Sequence, residues 1–165
     1  DKIELVLSDP GSGMTRFNYL SDTLIVTGIL NAKKEPSIFN SLSSSERKKT
    51  PQATIKICST LVGGNVAEAF CKQGIDFNGN LEIGYKDPDA EGIEACEYVF
   101  NMVTNNSRHD FLQQINTDIV ALIKSNEFWV VINELAEAIL KKECKCLERN
   151  EIEQIFTKNS FQKNY

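Results

Sequence analysis

Histidine is almost absent from this chain: His109 is the only one in 165 residues. Catalytic zinc sites use three protein ligands, commonly more than one of them histidine, and many lie on a helix with the pattern His-Glu-x-x-His. These residues contain no such pattern, and His109 lies in the polar stretch 105–110, which is typical of a surface connection. The sequence therefore predicts no catalytic residues and no zinc site built from this chain alone.

Other absences exclude further classes of function. No Gly-rich phosphate loop is present, so ATP binding is not predicted. The chain has 23 acidic and 18 basic residues, a formal charge of −5, and this balance argues against nucleic acid as the main partner. No apolar run approaches the roughly 18 residues that span a bilayer. We therefore expect a soluble chain, which reaches a membrane only through a segment outside these residues.

The number and spacing of the cysteines do not indicate a disulfide framework. The five cysteines are an odd number and form no Cys-x-x-Cys pair. Cys58 and Cys71 fall within helical patterns, where a free cysteine commonly behaves as a small buried hydrophobe. Cys144 and Cys146 have no histidine nearby and make a weak metal site. A reducing compartment, cytoplasmic or organellar, is the simpler interpretation.

The N-terminal third of the chain predicts a small β element. Residues 2–7 alternate polar and apolar for a few positions and then meet the turn signals of residues 9–13. Residues 22–30 are rich in β-branched and apolar side chains, which favours a second strand and a hairpin. From residue 31 to residue 51 the composition turns to Ser, Lys, Glu and Pro. This stretch is predicted to be a long surface loop.

The remainder predicts helices. Apolar residues recur at helical spacing in 52–73, 93–103, 111–123, 128–140 and 152–156, with a short extended piece at 81–83. The predicted fold class is mainly α with a small β element (α+β), in a single domain over 1–165. Its parts are a β element over 1–30, a loop over 31–51 and a helical bundle over 52–158.

The adjacent glycines Gly63 and Gly64 need a reason, because each costs about 1 kcal/mol relative to alanine inside a helix. Close contact with a neighbouring element is the reason we favour. A substitution of Gly64 by leucine is then expected to destabilise the fold by overpacking.

The segment 60–70 (TLVGGNVAEAF) resembles the Leu-Gly-Gly-x-x-Ala-Glu-Glu helix of the FtsH-type peptidase domain, the zinc-protease half of membrane-anchored AAA+ proteases. Its matching motif positions are Gly63, Gly64, Ala67 and Glu68. Three further segments follow the order of that family: 2–20 with GSGMTRF, 91–103 (EGIEACEYVFNMV), and 132–143 (INELAEAILKKE) with residues 147, 151 and 152. The resemblance implies an FtsH-peptidase-like helical bundle.

The same resemblance places Glu91 where the family carries its third zinc ligand, an aspartate. Asp89 replaces it only if the helix begins differently. The alternative interpretation is that Asp87, Asp89 and Glu91 stabilise the start of a helix through its dipole. A domain without the His-Glu-x-x-His helix is expected to bind zinc only if further ligands lie upstream of Asp1.

Three functions stay open from the sequence. The first is a non-catalytic, FtsH-peptidase-like domain that serves binding, self-association or assembly, since family members form hexamers through their peptidase domains. The second is the C-terminal part of an ATP-dependent zinc metalloprotease whose His-Glu-x-x-His helix precedes this chain. The third is an unrelated helical interaction module. Glu91 in place of aspartate and the insertion at 31–51 favour the first.

Overall fold

A computed structural model describes residues 2–5, 13–16, 23–73, 90–104, 108–143 and 146–159. Its contacts divide the chain into two compact units. We call residues 1–18 and 124–165 the terminal unit, and residues 19–123 the central unit. The described residues are mainly helical with a small β element, which confirms the predicted fold class. The single domain predicted over 1–165 stays a prediction.

The β element is a three-stranded antiparallel sheet in the terminal unit. Its strands are β1 (Lys2–Leu5), β2 (Gly13–Arg16) and β3 (Cys146–Glu148), in the order β2-β1-β3. In this register Ile3 lies opposite Thr15 on one side and opposite Leu147 on the other. The predicted first strand is therefore confirmed over residues 2–5. The predicted turn over 9–13 lies largely outside the described residues.

The predicted strand over 22–30 was wrong, because this stretch forms helix α1 (Thr23–Asn31). Its buried residues, together with the residue that follows the helix, are spaced one helical turn apart: Ile25, Gly28, Ile29 and Ala32. Burial of this stripe outweighs the β-propensity of the branched side chains, which is a weak preference that tertiary contacts override.

The predicted loop over 31–51 was also wrong. Helix α2 (Pro36–Asn40) has proline near its first position, and helix α3 (Ser44–Gln73) begins well before Pro51. A capping box starts α3, in which Ser43 Oγ accepts from the Glu46 amide and Glu46 Oε2 accepts from the Ser43 amide. Pro51 lies inside α3 and removes one backbone donor. The helix continues past it and buries Thr50 and Thr54, whose hydroxyls donate to backbone carbonyls one turn earlier.

Three long helices form the core of the central unit. The predicted helices over 52–73, 93–103 and 111–123 are confirmed as parts of α3, α4 (Ala90–Thr104) and α5 (Arg108–Ile123). Helix α3 packs against α1, α4 and α5. The extended piece over 81–83 and the acidic residues Asp87 and Asp89 lie outside the described residues.

The terminal unit contains α6 (Asn126–Lys141) and α7 (Arg149–Lys158), which confirm the helices predicted over 128–140 and 152–156. Val131, Leu135, Ile139 and Leu147 are buried together, and Ile152, Ile155 and Phe156 pack against them. The chain therefore reverses after α6, as predicted, and Trp129 beside this face is half-buried, also as predicted. No helix in the described part of the chain is long and apolar enough to cross a bilayer.

Candidate functional site

Glu91, the residue that the resemblance places at a third zinc-ligand position, lies in the first turn of α4. Lys34 Nζ donates to Glu91 Oε2 at 2.6 Å, and both side chains are exposed. This hydrogen bond lowers the pKa of the Glu91 carboxyl. Lys33 pairs with Glu94 one turn further along. Glu91 thus links the start of α4 to the residues after α1, and its role as a metal ligand stays a prediction.

The predicted motif of Gly63, Gly64, Ala67 and Glu68 lies on α3, and the described residues show no close contact at its glycines. Apart from the chain neighbours and the nearby backbone of α3 itself, no described atom lies within 4 Å of a Cβ built on Gly63 or Gly64. Ala67 is half-buried, and the exposed Glu68 accepts a hydrogen bond from Lys72 that lowers the pKa of Glu68. The tight glycine is Gly92 on α4, where an added Cβ would lie 2.8 Å from Leu61 Cδ1.

The remaining sequence candidates lie in different parts of the chain. His109 lies on α5, within the range Arg108–Ile123, and Cys144 lies outside the described residues. Cys146 is buried in β3. Among the side chains that the structure describes, no group of three or more His, Cys, Asp and Glu is arranged to hold a metal ion.

An open groove with a volume of about 410 Å³ lies on the central unit, and we call it the α5 groove. Its lining residues come from α3, α4 and α5: Ile55, Phe100, Asp110, Phe111, Gln114, Ile115 and Asp118. The helical period explains this arrangement, because α5 places Phe111 and Ile115 on one stripe and Asp110, Gln114 and Asp118 on the next.

The floor of the α5 groove is apolar. The rings of Phe100 and Phe111 stack with centroids 4.2 Å apart and planes inclined by 18°. Phe111 and Ile115 are buried, Phe100 is half-buried, and Ile55 forms part of the wall with 40% of its surface exposed. The groove therefore offers an apolar contact surface.

The rim of the α5 groove is polar and acidic. Asp110, Gln114 and Asp118 are exposed, and Gln114 Nε2 donates to Asp118 Oδ1 at 2.8 Å. The described lining includes two carboxylates and no basic side chain. A cationic group above this rim would gain favourable electrostatic energy from the two carboxylates.

A second groove, in the terminal unit, is lined by charged residues of α6 and α7 and has a volume of about 560 Å³. The lysines that line it, Lys141, Lys142 and Lys158, form ion pairs with Glu137, Glu151 and Glu134, which also line it. The hydrogen bonds from Lys142 and Lys158 lower the pKa of Glu151 and of Glu134. A charged ligand would have to break these pairs, so this groove is the weaker candidate.

Comparisons with protein-family models, with curated proteins and with solved structures each find no match for this chain. The function is therefore argued from the α5 groove itself.

Sequence reasoning assigned Ile55, Phe111 and Ile115 to helical apolar faces but did not identify them as a site. The sequence feature that could have indicated the groove is the pair of carboxylates Asp110 and Asp118. They are eight residues apart, beside an apolar stripe on the same helix. Which part of an apolar face remains uncovered depends on how the neighbouring helices end. That information is tertiary and is not contained in the period of one helix.

Proposed function

We propose that this chain is a non-catalytic, protein-binding module that docks a partner helix through the α5 groove. The observation that carries the proposal is an apolar floor open to solvent beneath a rim of carboxylates. The partner is an amphipathic helix that inserts apolar side chains between Ile55 and Phe111 and places basic side chains over Asp110 and Asp118.

Apolar contact supplies the affinity in this proposal. The exposed surface of Ile55 and the edges of Phe100 and Phe111 lose water when a leucine or methionine of the partner enters. Burial is favourable by roughly 25 cal/mol per Å² of apolar surface. A groove of this size admits a few side chains and not an entire helix. The partner helix therefore lies over the groove, along α5, and inserts only its apolar side chains.

Charge supplies the orientation. Asp110 and Asp118 are about 12 Å apart along α5, given a rise of about 1.5 Å per residue. Two lysines placed seven or eight residues apart on a partner helix match that separation. Electrostatic complementarity of this kind sets register and association rate more than it sets affinity. The formal charge of −5 on the chain favours the approach of a basic partner in the same direction.

The FtsH-peptidase-like scaffold is part of the same proposal. Segments 60–70 and 91–103 lie within α3 and α4, and residues 132–141 and 151–152 lie within α6 and α7, which supports the order of helices that the resemblance implies. In the enzyme alternative Glu91 must leave Lys34 before it can bind zinc. About one zinc per purified chain, with chelator-sensitive degradation of casein, would favour that alternative over the binding module.

The test uses a synthetic helical peptide with leucines spaced four residues apart, flanked by lysines eight residues apart. Its fluorescence anisotropy is measured against the purified chain and against the variants Ile55→Asp and Leu24→Asp. Leu24 is the matched control, because it is an exposed apolar residue of the same unit with 64% exposure and does not line the groove. A second peptide replaces the lysines by glutamates.

We expect the lysine peptide to bind in the micromolar range, since the contact area is small. Ile55→Asp should raise the dissociation constant by about tenfold or more, which corresponds to a loss of at least about 1.4 kcal/mol. Leu24→Asp should leave it unchanged, and the glutamate peptide should bind much more weakly. Equal binding of the two peptides, or equal effects of the two substitutions, would refute the groove as the docking site.

A further inference from the structure

Cys58 on α3 and Cys96 on α4 are both completely buried in the core of the central unit, at 0% exposure. The two residues lie midway between two places where α3 and α4 meet: Leu61 lies against Gly92, and Ile55 and Phe100 line one groove. Neither residue lines the α5 groove. This pair of thiols is therefore a feature separate from the proposed docking surface.

The crossing of α3 and α4 explains why these thiols meet. Gly92 on α4 faces Leu61 on α3, so closely that a Cβ at residue 92 would lie 2.8 Å from Leu61 Cδ1. Cys96 lies four residues after Gly92, and Cys58 lies three residues before Leu61. One turn along each helix, in opposite chain directions, leads from this contact to Cys58 and Cys96. A further turn in the same directions leads to Ile55 and Phe100, which line one groove, so the helices run antiparallel here.

Small residues allow the close approach that a disulfide needs. Gly92, Ala95 and Cys96 lie on the buried side of α4. Helix axes about 8 to 10 Å apart, with Cα atoms about 2.3 Å from each axis, bring facing Cα atoms to roughly 3.5 to 5.5 Å. Disulfides join Cα atoms separated by about 4.4 to 6.8 Å. The two ranges overlap, so this type of crossing can accommodate a link between Cys58 and Cys96.

We propose that Cys58 and Cys96 form an intramolecular disulfide when the protein meets a peroxide, and that this bond locks α4 against α3. The thiolate of one cysteine attacks a peroxide oxygen, the O–O bond breaks, and a sulfenic acid and water form. The second thiolate then attacks the sulfenic sulfur and displaces hydroxide, which leaves as water. In total the thiols lose two electrons and two protons, and one hydrogen peroxide becomes two waters.

The environment of the pair sets the rate of this reaction. The hydrogen bond with Cys58, together with burial, raises the pKa of the Cys96 thiol. Nucleophilic attack needs the thiolate, so the closed core protects the pair. Oxidation proceeds when α4 separates briefly from α3, which is a local opening of the kind that admits small reagents to cores. The pair is thus stable as thiols under reducing conditions and becomes linked under sustained oxidative exposure.

Cys71 provides an internal reference, because it is exposed near the C-terminal end of α3. It is expected to react with peroxide or with an alkylating reagent before the buried pair does. Cys146 is buried in β3 of the terminal unit.

The experiment treats the dilute, folded chain with hydrogen peroxide and monitors its fold by circular dichroism. Remaining thiols are then alkylated, and peptides are mapped by mass spectrometry without reduction. We expect a linked peptide pair containing Cys58 and Cys96, which dithiothreitol releases. We also expect a rise in melting temperature of roughly 5 to 10 °C, since a cross-link restricts the unfolded chain. The variant Cys96→Ala, treated in the same way, should show neither result.

Peptide mapping of the unmodified chain decides the proposal even if Cys96→Ala does not fold. Oxidised Cys71 with no link between Cys58 and Cys96 in the folded protein would overturn it. A link that forms only in denaturant would overturn it as well, because the folded crossing would then not bring the sulfur atoms together. A linked protein that melts at a lower temperature would show that the bond displaces the helices, which contradicts the proposed fit.

Discussion

The two units join their helices by different means. In the terminal unit, α6 and α7 enclose Leu135 and Leu147, and lysine–glutamate pairs connect Lys142 with Glu151 and Lys158 with Glu134. In the central unit, α3 and α4 meet through apolar and small side chains, which include Gly92 and the two thiols. Two ion pairs at α4 connect it to the residues after α1.

This difference indicates which forces fix each crossing. Charged contacts at the edge of a small core help to determine where α6 ends and α7 begins, since each carboxylate is matched to one ammonium group. Steric fit determines how α3 and α4 cross, because a close approach tolerates little added volume. Changes of volume should therefore dominate in the central unit, whereas the terminal unit should respond to both volume and charge.

The largest effect is expected from Leu135→Ala in the terminal unit. The substitution leaves a cavity beside Val131 and Ile139 and should lower the free energy of unfolding by roughly 2 to 5 kcal/mol. Urea unfolding followed by the fluorescence of Trp129, on the same helix, measures it. Glu137→Ala is the control, since it removes only an exposed pair with Lys141 and should change stability by less than about 0.5 kcal/mol. Equal effects would mean that the buried face of α6 is misassigned.

A smaller effect is expected at the α3–α4 crossing. Gly92→Leu adds volume against Leu61 and should destabilise the chain by about 1 to 3 kcal/mol through overpacking. Gly64→Leu is the matched control on α3, where the structure leaves open space. It should be neutral or stabilising by up to about 1 kcal/mol, because leucine is the better helix former. Thermal melts that rank the two variants in the opposite order would contradict the steric account of this crossing.

The smallest effect is a dependence on pH in the terminal unit. Hydrogen bonding from Lys142 lowers the pKa of Glu151, so its contribution to stability is present above the pKa of about 4.3 in the unfolded chain. That contribution is lost as the pH falls through the lower pKa of the folded state. Glu151→Gln keeps a capping side chain at its position but removes the charge. The melting temperatures of the unmodified chain and of Glu151→Gln should therefore differ at pH 7 and converge below pH 4. A difference that stays constant with pH would exclude the ion pair between Lys142 and Glu151 as the cause of the difference.

The helices from α4 to α7 were predictable because their apolar residues recur at helical spacing and their ends carry ordinary signals, such as Ser125, whose side chain caps α6. Helix α1 was missed because the β-branched residues of 22–30 were weighted above the stripe of Ile25, Gly28 and Ile29. Both features were visible in the sequence. Only the burial of that stripe in the folded protein decides between a strand and a helix for these residues.

The segment 31–51 was missed for a similar reason. Serines and prolines were interpreted as breakers, although Pro36 suits a first helical turn and Ser43 with Glu46 forms a capping box. A proline inside a helix costs about 3 kcal/mol or more, so Pro51 was interpreted as a boundary. The packing of α3 against its neighbours offsets that cost. No local sequence pattern predicts this packing.

The α5 groove is the feature on which the account of function depends. Its direct test is a methyl and amide NMR titration of the chain with the lysine-flanked amphipathic peptide. We predict that the largest shifts fall on Ile55, Phe100, Phe111 and Ile115, with smaller ones at Asp110 and Asp118 that weaken as salt is added. Shifts that are absent, or that concentrate on α6 and α7, would contradict the proposal that the central unit docks a partner helix.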